Sequence, residues 1–186
     1  NCVGHGLCAR ACPVGAIKLV FGTRQRGVEL PDLTEHFETS VPGVYIAGEL
    51  GGMGLIANAF EQAIQAVDAI TASLRDEGAR APRGRETGEG DAFDLVVVGA
   101  GPAGLGAALR AKEHGLGCVC VDQAVWGGAI RTYPRAKVVM TRPLRVPLYG
   151  PTRLRQPTKE ALLALWDEIL GRTEIEIRSE TRVTGV

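Results

Sequence analysis

Two groups of residues in this 186-residue chain have types and spacings that could do chemistry. The first is Gly99-Ala100-Gly101-Pro102-Ala103-Gly104, with Asp122 eighteen residues beyond its last glycine. Glycines at the first, third and sixth positions permit a tight turn off a strand, a close approach of backbone to a pyrophosphate, and close packing of the following helix on that strand. A pyrophosphate at the start of the helix would meet unpaired N–H groups and the positive end of the helix dipole. An acid at the end of the next strand could accept hydrogen bonds from ribose hydroxyls. The second group is Cys2-x2-His5-x2-Cys8-x3-Cys12-Pro13. Ligands so closely spaced wrap the backbone round an iron–sulfur cluster, with amide N–H groups facing its sulfurs.

The first group needs a strand before it, a helix after it and a second strand before the acid. All three can be read from the pattern. Leu95 to Val98 is a continuous apolar run, as in a strand buried on both faces. Leu105 to Lys112 is helix-forming sequence, and His114-Gly115 is a plausible stop. Cys118 to Val121 is a second apolar run, closed by Asp122. A lone GxGxxG is a weak signal, and this context strengthens it. A glycine-rich structural turn would account for the loop but not for the acid. The expected fold class is therefore α/β, a Rossmann-like βαβ unit with a parallel sheet. Further along, Pro157-Thr158 marks a helix start. Leu162, Leu165, Trp166 and Ile169 share one face, as in a core-packing helix, with Gly171 as the expected stop. Ile175 and Ile177 alternate with charges as a half-buried strand.

The stretch "DQAVWGGAIRTYP" narrows the cofactor. An acid, a Gly-Gly pair, a short apolar run and a Tyr-Pro stand here as Asp122, Gly127-Gly128, Ala129-Ile130 and Tyr133-Pro134. This resembles the FAD domain of thioredoxin reductase-like flavoproteins, in the pyridine nucleotide–disulfide oxidoreductase superfamily. The resemblance implies that Gly127-Gly128 lies against the ribityl and flavin region. It implies cofactor contacts at Gly99, Gly101, Pro102, Ala103, Gly104, Asp122, Gln123, Gly127 and Gly128. Asp122 is shorter than the Glu that many members carry.

Residues 41–70 hold a further element. Val44 to Ala47 reads as a short strand ending at Gly48-Glu49. Gly51-Gly52-Met53-Gly54 then leads into a helix with Phe60, Ile64 and Val67 on one face. Thr39, Pro42, Gly43, Val44, Tyr45 and Gly48 match the T-x-x-P-G-V-(Y/F)-x-x-G-D strand that closes flavoproteins of the same superfamily, with Glu49 in place of the usual Asp. The resemblance implies a helix N-terminus aimed at the flavin, where it would stabilise the negative charge of the reduced ring. It makes Gly48 and Glu49 candidate cofactor contacts. In such proteins this element comes last, yet here it precedes the glycine loop. The preferred expectation is a fusion in which it closes an upstream flavin unit. The alternative is a permuted arrangement in which it packs onto residues 93–186, and pairing of 43–48 beside 95–98 would favour that. The intervening residues 76–92 contain no apolar side chain larger than alanine and read as a flexible linker. Their length, spanning ~20–25 Å as a random coil, suits either arrangement.

"CPVGAIKLV" after the cysteine run resembles the exit of a ferredoxin-type [4Fe–4S] motif. In two-cluster ferredoxins the fourth ligand serves the other cluster, but the next cysteine after Cys12 is Cys118. The motif is thus the second of a pair or a lone one, the former being expected. Candidate ligands are Cys2, His5, Cys8 and Cys12. His5 is open to three readings: a ligand that raises the potential, a bystander beside an incomplete or three-iron cluster, or part of a relic. Cys118 and Cys120 fall in a buried strand pattern and read as core residues. No C-x-x-C pair occurs, so disulfide reduction gains no support.

Composition closes off other classes. Lysine plus arginine and aspartate plus glutamate number 21 each, which gives no electrostatic case for nucleic acid. No apolar run reaches the ~18 residues of a membrane span. Five cysteines, three of them in the first twelve residues, point to metal binding in a reducing, cytoplasmic setting rather than a disulfide scaffold. The chain starts inside one motif and ends inside a strand pattern, as an internal fragment would. Four segments are expected: a partial ferredoxin-like motif at 1–20, a flavin-binding strand–helix element at 21–75, the linker at 76–92 and the first part of an FAD domain at 93–186. The functional expectation is an oxidoreductase passing electrons between NAD(P)H, FAD and a [4Fe–4S] cluster. Two alternatives stay open: a thioredoxin reductase-like flavoenzyme without a working cluster, and a non-catalytic FAD-binding electron-transfer subunit. Expected partners are a small-molecule or protein electron acceptor and the remainder of the parent chain, and a homo-oligomer stays open.

Overall fold

The computed structural model describes residues 31–51, 55–76 and 93–185, together with Arg10, Ala11 and Pro13. The chain divides into two compact units, residues 1–30 and 31–186.

At the centre of the second unit is a parallel sheet of three strands in the order β1-β2-β5. Strand β1 is Leu95–Val98 and β2 is Cys118–Val121, paired in parallel from Leu95↔Cys118 to Val98↔Val121. Strand β5, Ile177–Arg178, pairs in parallel on the other side of β2 through Cys120↔Ile177. Between β1 and β2 runs helix α2, Pro102–Glu113. Its apolar face is unusually small-residued: Ala108 packs with Val97, Ala100 and Cys120 in one buried cluster. The helix ends where the sequence implies, with His114 as its cap and Gly115 at a left-handed φ of +75°. The expected α/β class with a parallel βαβ unit is what the chain adopts.

Helix α1, Ile56–Asp76, lies along α2 in the same unit. Phe60 and Val67 are almost fully buried, as their helical spacing predicts. Phe60 joins Leu105, Leu109, Ile130, Trp166 and Ile169 in the main core. Val67 packs with Ala111 and Leu116. Ala59, Ala63 and Ala66 are buried as well, so the two helices meet largely through small side chains. Polar ties rim the contact. Asp68 receives hydrogen bonds from Arg110 Nε at 2.6 Å and Nη2 at 3.1 Å, and its Oδ1 lies 2.6 Å from His114 Nε2. Arg142 spans from the far loop to Glu61 with a two-pronged ion pair at 2.7 and 2.5 Å.

Helix α3, Lys159–Thr173, opens at Thr158, whose hydroxyl accepts from the Ala161 N–H. That cap is the expected helix start, and Leu162, Trp166 and Ile169 are buried as their spacing requires. Between α2 and α3 the short strands β3, Arg145–Val146, and β4, Gly150–Pro151, form an antiparallel pair.

Four expectations change. Gly171 does not stop α3, which continues to Thr173 and ends on Glu174 in a left-handed conformation (φ 49°). The Glu174 N–H closes the last turn onto the Leu170 carbonyl, so the glycine is not needed as a cap. The strand expected from Val44 is reduced to a single antiparallel bridge, Glu38↔Tyr45. A tight turn around Gly43 folds 37–46 onto itself, with Thr39 N–H donating to Val44 O and Ile46 N–H to Phe37 O, so its backbone bonds are satisfied locally rather than in a sheet. Residue 76 belongs to α1 rather than to the linker, whose other residues, 77–92, lie outside the described ones. Finally, 43–48 do not pair with β1, yet α1 packs directly on α2. Through Phe60 and Val67, helix α1 packs on the βαβ unit that follows it in the chain.

Candidate dinucleotide-binding site

The glycine loop leaves β1 at Gly99, whose φ of +98° suits glycine and few other residues. The loop cannot widen, because the Gly99 N–H donates to Val121 O at 2.7 Å and ties it to β2. Helix α2 then starts with no side-chain cap at Gly101 and with Pro102 in its first position. Proline's missing N–H is harmless there. The uncapped first-turn amides are the donors a phosphate would take. Gly104 lies so close to the loop that a Cβ on it would stand 1.7 Å from the Gly99 carbonyl oxygen. Gly101, by contrast, is less crowded: the nearest atom to an added Cβ is Gly128 Cα at 4.0 Å, an ordinary contact distance.

The second glycine turn closes over the first. The Gly127 N–H donates to the Ala100 carbonyl at 2.7 Å. A Cβ on Gly128 would come within 3.1 Å of Gly101 Cα, so the two backbones are in contact. Trp126 beside it carries Arg131 over its ring at 4.2 Å, and Arg131 Nε donates to the Trp126 carbonyl at 2.5 Å. Two glycine-lined backbone segments thus face each other at a helix N-terminus, which is a shape a dinucleotide pyrophosphate fits.

The upstream element supplies a third wall. Gly48 is buried, and a Cβ there would be 3.2 Å from that of Ala103, in the first turn of α2. Gln62 of α1 holds this turn by accepting from the Gly48 N–H at 2.9 Å. Glu49 begins a single 3-10 turn, Glu49–Gly51, and is exposed. The structure therefore brings Gly48 against Ala103, although fifty-five residues separate them in sequence.

Asp122 closes β2 as expected but points inward. It is 9% exposed, and both carboxylate oxygens accept from backbone amides: Oδ2 from Ala100 at 2.7 Å and Oδ1 from Ala124 at 2.8 Å. Gln123, the next residue, is exposed. The Ala100 and Ala124 bonds were not readable from the sequence. The one signal for them was the shortness of Asp122, which cannot reach as far as a glutamate.

Cys2, His5, Cys8 and Cys12 lie outside the described residues. Among the described residues, no group of three or more His, Cys, Asp or Glu could hold a metal ion. Cys118 and Cys120 lie in β2, and burial pushes their thiols up to about 11 and about 12. At neutral pH both stay protonated and unreactive, as core residues do. Among the described residues no helix is long and apolar enough to cross a membrane.

Residues 97–169 match the family model for an NAD(P)-binding Rossmann-like domain. The chain is 39% identical over 77 residues to an alkyl hydroperoxide reductase of Pseudomonas aeruginosa, covering 41% of this chain and 13% of that protein. It is 50% identical over 40 residues to the thioredoxin reductase of Ureaplasma parvum, covering 22% of this chain and 13% of that one. The aligned stretch thus spans about an eighth of either relative's length. A bacillithiol disulfide reductase from Staphylococcus aureus superposes with a TM-score of 0.42 at 17% identity, over 46% of this chain and 28% of that one. The parallel βαβ unit of residues 95–121 is Rossmann-like, as the family model matched over 97–169 describes.

Proposed function

We propose that this chain is part of an FAD- and NAD(P)H-dependent oxidoreductase and that residues 31–51 and 93–128 bind the FAD. The observation that carries the reading is the pair of glycine turns pressed together at the uncapped start of α2, where a Cβ on Gly104 would fall 1.7 Å from the Gly99 carbonyl oxygen. Such a cradle presents amide N–H groups and a helix dipole to a pyrophosphate and excludes side chains from its path. The Gly127-Gly128 and Tyr133-Pro134 resemblance favours FAD over a nicotinamide dinucleotide in this cradle. Bound FAD would accept two electrons as a hydride and release them singly. The protein's own part is to hold the pyrophosphate at α2, to place Gly48-Glu49 beside the cradle, and to shield the site with α1.

The sequence adds a [4Fe–4S] cluster at Cys2, His5, Cys8 and Cys12 as the electron partner, and a small molecule or protein as the final acceptor. The test is purification of the full-length protein. Flavin absorbance that bleaches with NAD(P)H is expected. A colourless protein that takes up no added FAD would overturn the flavin reading. Iron and acid-labile sulfide are assayed separately, and their absence would remove the cluster while leaving the flavin reading intact.

A further inference from the structure

The charges of this electrically neutral chain are sorted into two blocks. Residues 31–74 carry six aspartates and glutamates and no lysine or arginine. Residues 131–159 carry eight lysines and arginines and no acid. Each block therefore repels its own kind and attracts the other. The basic block is borne on a hairpin. Arg145↔Pro151 in β3–β4 and the bridge Val138↔Thr158 lie in one register. Bonds from Lys159 N–H to Lys137 O, Val139 N–H to Pro157 O and Thr152 N–H to Leu144 O keep that register, at 2.7–2.8 Å. Alternation along the strands sorts the side chains. Val146 and Thr152 are buried, and the alternate residues Arg145, Arg153 and Arg155 are exposed. None of these three arginines makes an ion pair among the described residues.

In the acidic block Asp32 and Glu35 are exposed, Glu35 lying 3.7 Å from His36. Both blocks add apolar side chains to their charge. Val41 and Leu50 in the one, and Val138 and Met140 in the other, are each more than half exposed. The blocks meet within one copy where Arg142 of the hairpin pairs with Glu61 of α1. That contact uses one charge of each and leaves Asp32, Glu35 and the three arginines at the surface. A two-fold axis close to this seam would lay the acidic block of each copy on the basic hairpin of the other. Made twice, such a contact closes into a dimer rather than an open chain.

We propose that the hairpin 137–159 is a docking face for the acidic segment 31–50 of a second copy of this chain. The proposal is independent of the flavin reading. Its ground is complementarity: the opposite charge, with apolar residues among it, is carried by the same chain and adjoins the hairpin. A single-stranded nucleic acid would want an aromatic platform, and Tyr149 of the hairpin is already stacked under Arg172.

The test is analytical ultracentrifugation of the full-length protein at micromolar concentration. Wild type should be dimeric at low salt and dissociate at least tenfold more readily at about 0.5 M salt, where screening reaches within a few ångströms. The triple variant Arg145→Glu/Arg153→Glu/Arg155→Glu and the double variant Asp32→Lys/Glu35→Lys should each self-associate at least tenfold more weakly. Mixed together, the two variants should regain a heterodimer, because every contact then joins opposite charges again. If a reversed variant does not fold, the neutral forms Arg→Gln and Asp→Asn with Glu→Gln replace it, with the same loss expected from each. A monomeric wild type would overturn the proposal, and if that monomer bound a short polyglutamate peptide through the three arginines, the face would belong to an acidic partner instead. A dimer indifferent to both sets of substitutions would place the contact elsewhere and overturn it equally. So would reversed variants that form no heterodimer on mixing.

Discussion

Helix α2 meets its neighbours through two glycines only two positions apart, and the two contacts are built differently. Gly104 faces the loop from β1, where an added Cβ would fall 1.7 Å from Gly99 O and 2.9 Å from Gly99 C. The obstacle is a backbone five residues away, itself bonded to β2, and it has nowhere to go. Gly106 faces α1, where an added Cβ would meet Phe60 O at 2.8 Å and the Phe60 ring at 3.2 Å. That obstacle belongs to a separate helix, forty-six residues away in sequence, so relief means moving one helix against another rather than breaking a hydrogen-bonded turn. The first contact sets the shape of the glycine turn within one βαβ unit. The second sets only whether α1, and with it the Gly48 turn, stays docked beside the cradle. A rigid wall and an adjustable wall thus share one helix.

The sharpest test of the adjustable wall is its anchor. Phe60 is 2% exposed and is the largest of the fully buried side chains among the described residues. Phe60→Ala should cost about 3–5 kcal/mol in chemical denaturation, by lost burial and the cavity left behind. A loss below about 1 kcal/mol would mean that α1 is not docked on α2, and the comparison would collapse. Gly104→Ala comes next. It should cost up to about 3 kcal/mol, the upper end of overpacking, and it should abolish dinucleotide retention because the loop must move to admit the methyl. Gly106→Ala should be milder, near 1 kcal/mol or less, because strain against Phe60 is offset by the ~1 kcal/mol that alanine gains over glycine in a helix. Dinucleotide affinity should survive Gly106→Ala far better than Gly104→Ala. Equal losses in the two variants would show that the two walls are one.

The rigid wall was legible in the sequence and the adjustable one was not, for physical reasons. Leu95–Val98, the glycine turn, α2 and β2 are consecutive, so periodicity and turn chemistry fix them locally. Thr158 likewise announced α3 through a bond reaching only three residues, although its far end was misplaced because Glu174 took the left-handed cap that glycine usually fills. The docking of α1 depends on contacts across a gap of tens of residues, which no local pattern encodes. Gly106 is the one local sign of that docking: a glycine inside a helix costs stability unless something must come close to it. The segment at 44–47 failed as a strand because its β-favouring residues satisfy their backbone bonds in a tight local turn. Asp122 was found by position, while its partners were hidden because Ala100 lies twenty-two residues upstream of it.

The smallest expected effect lies at the rim of the adjustable wall and can be read from pH. Burial acts to raise the Asp68 carboxyl, but hydrogen bonds from Arg110 and His114 outweigh it and hold it below its ordinary value of 3.8. Arg110 is correspondingly raised by its bond to Asp68. A carboxyl whose folded value is depressed contributes stability that is present above the unfolded value and lost as pH falls through the folded one. The α1–α2 contact should therefore hold steady from pH 7 to about 5 on this account and loosen below about 4. Asp68 is partly exposed, so the contribution belongs to the modest range of ~0.2–1 kcal/mol for such pairs. In Asp68→Asn the loss should appear at neutral pH, and the remaining acid dependence should be shallower than in wild type. Denaturation midpoints at about pH 3.5 and about pH 7 in both proteins measure this. Equal pH slopes would place the acid sensitivity elsewhere and leave the grip of α1 on α2 to its apolar contacts, Phe60 first among them.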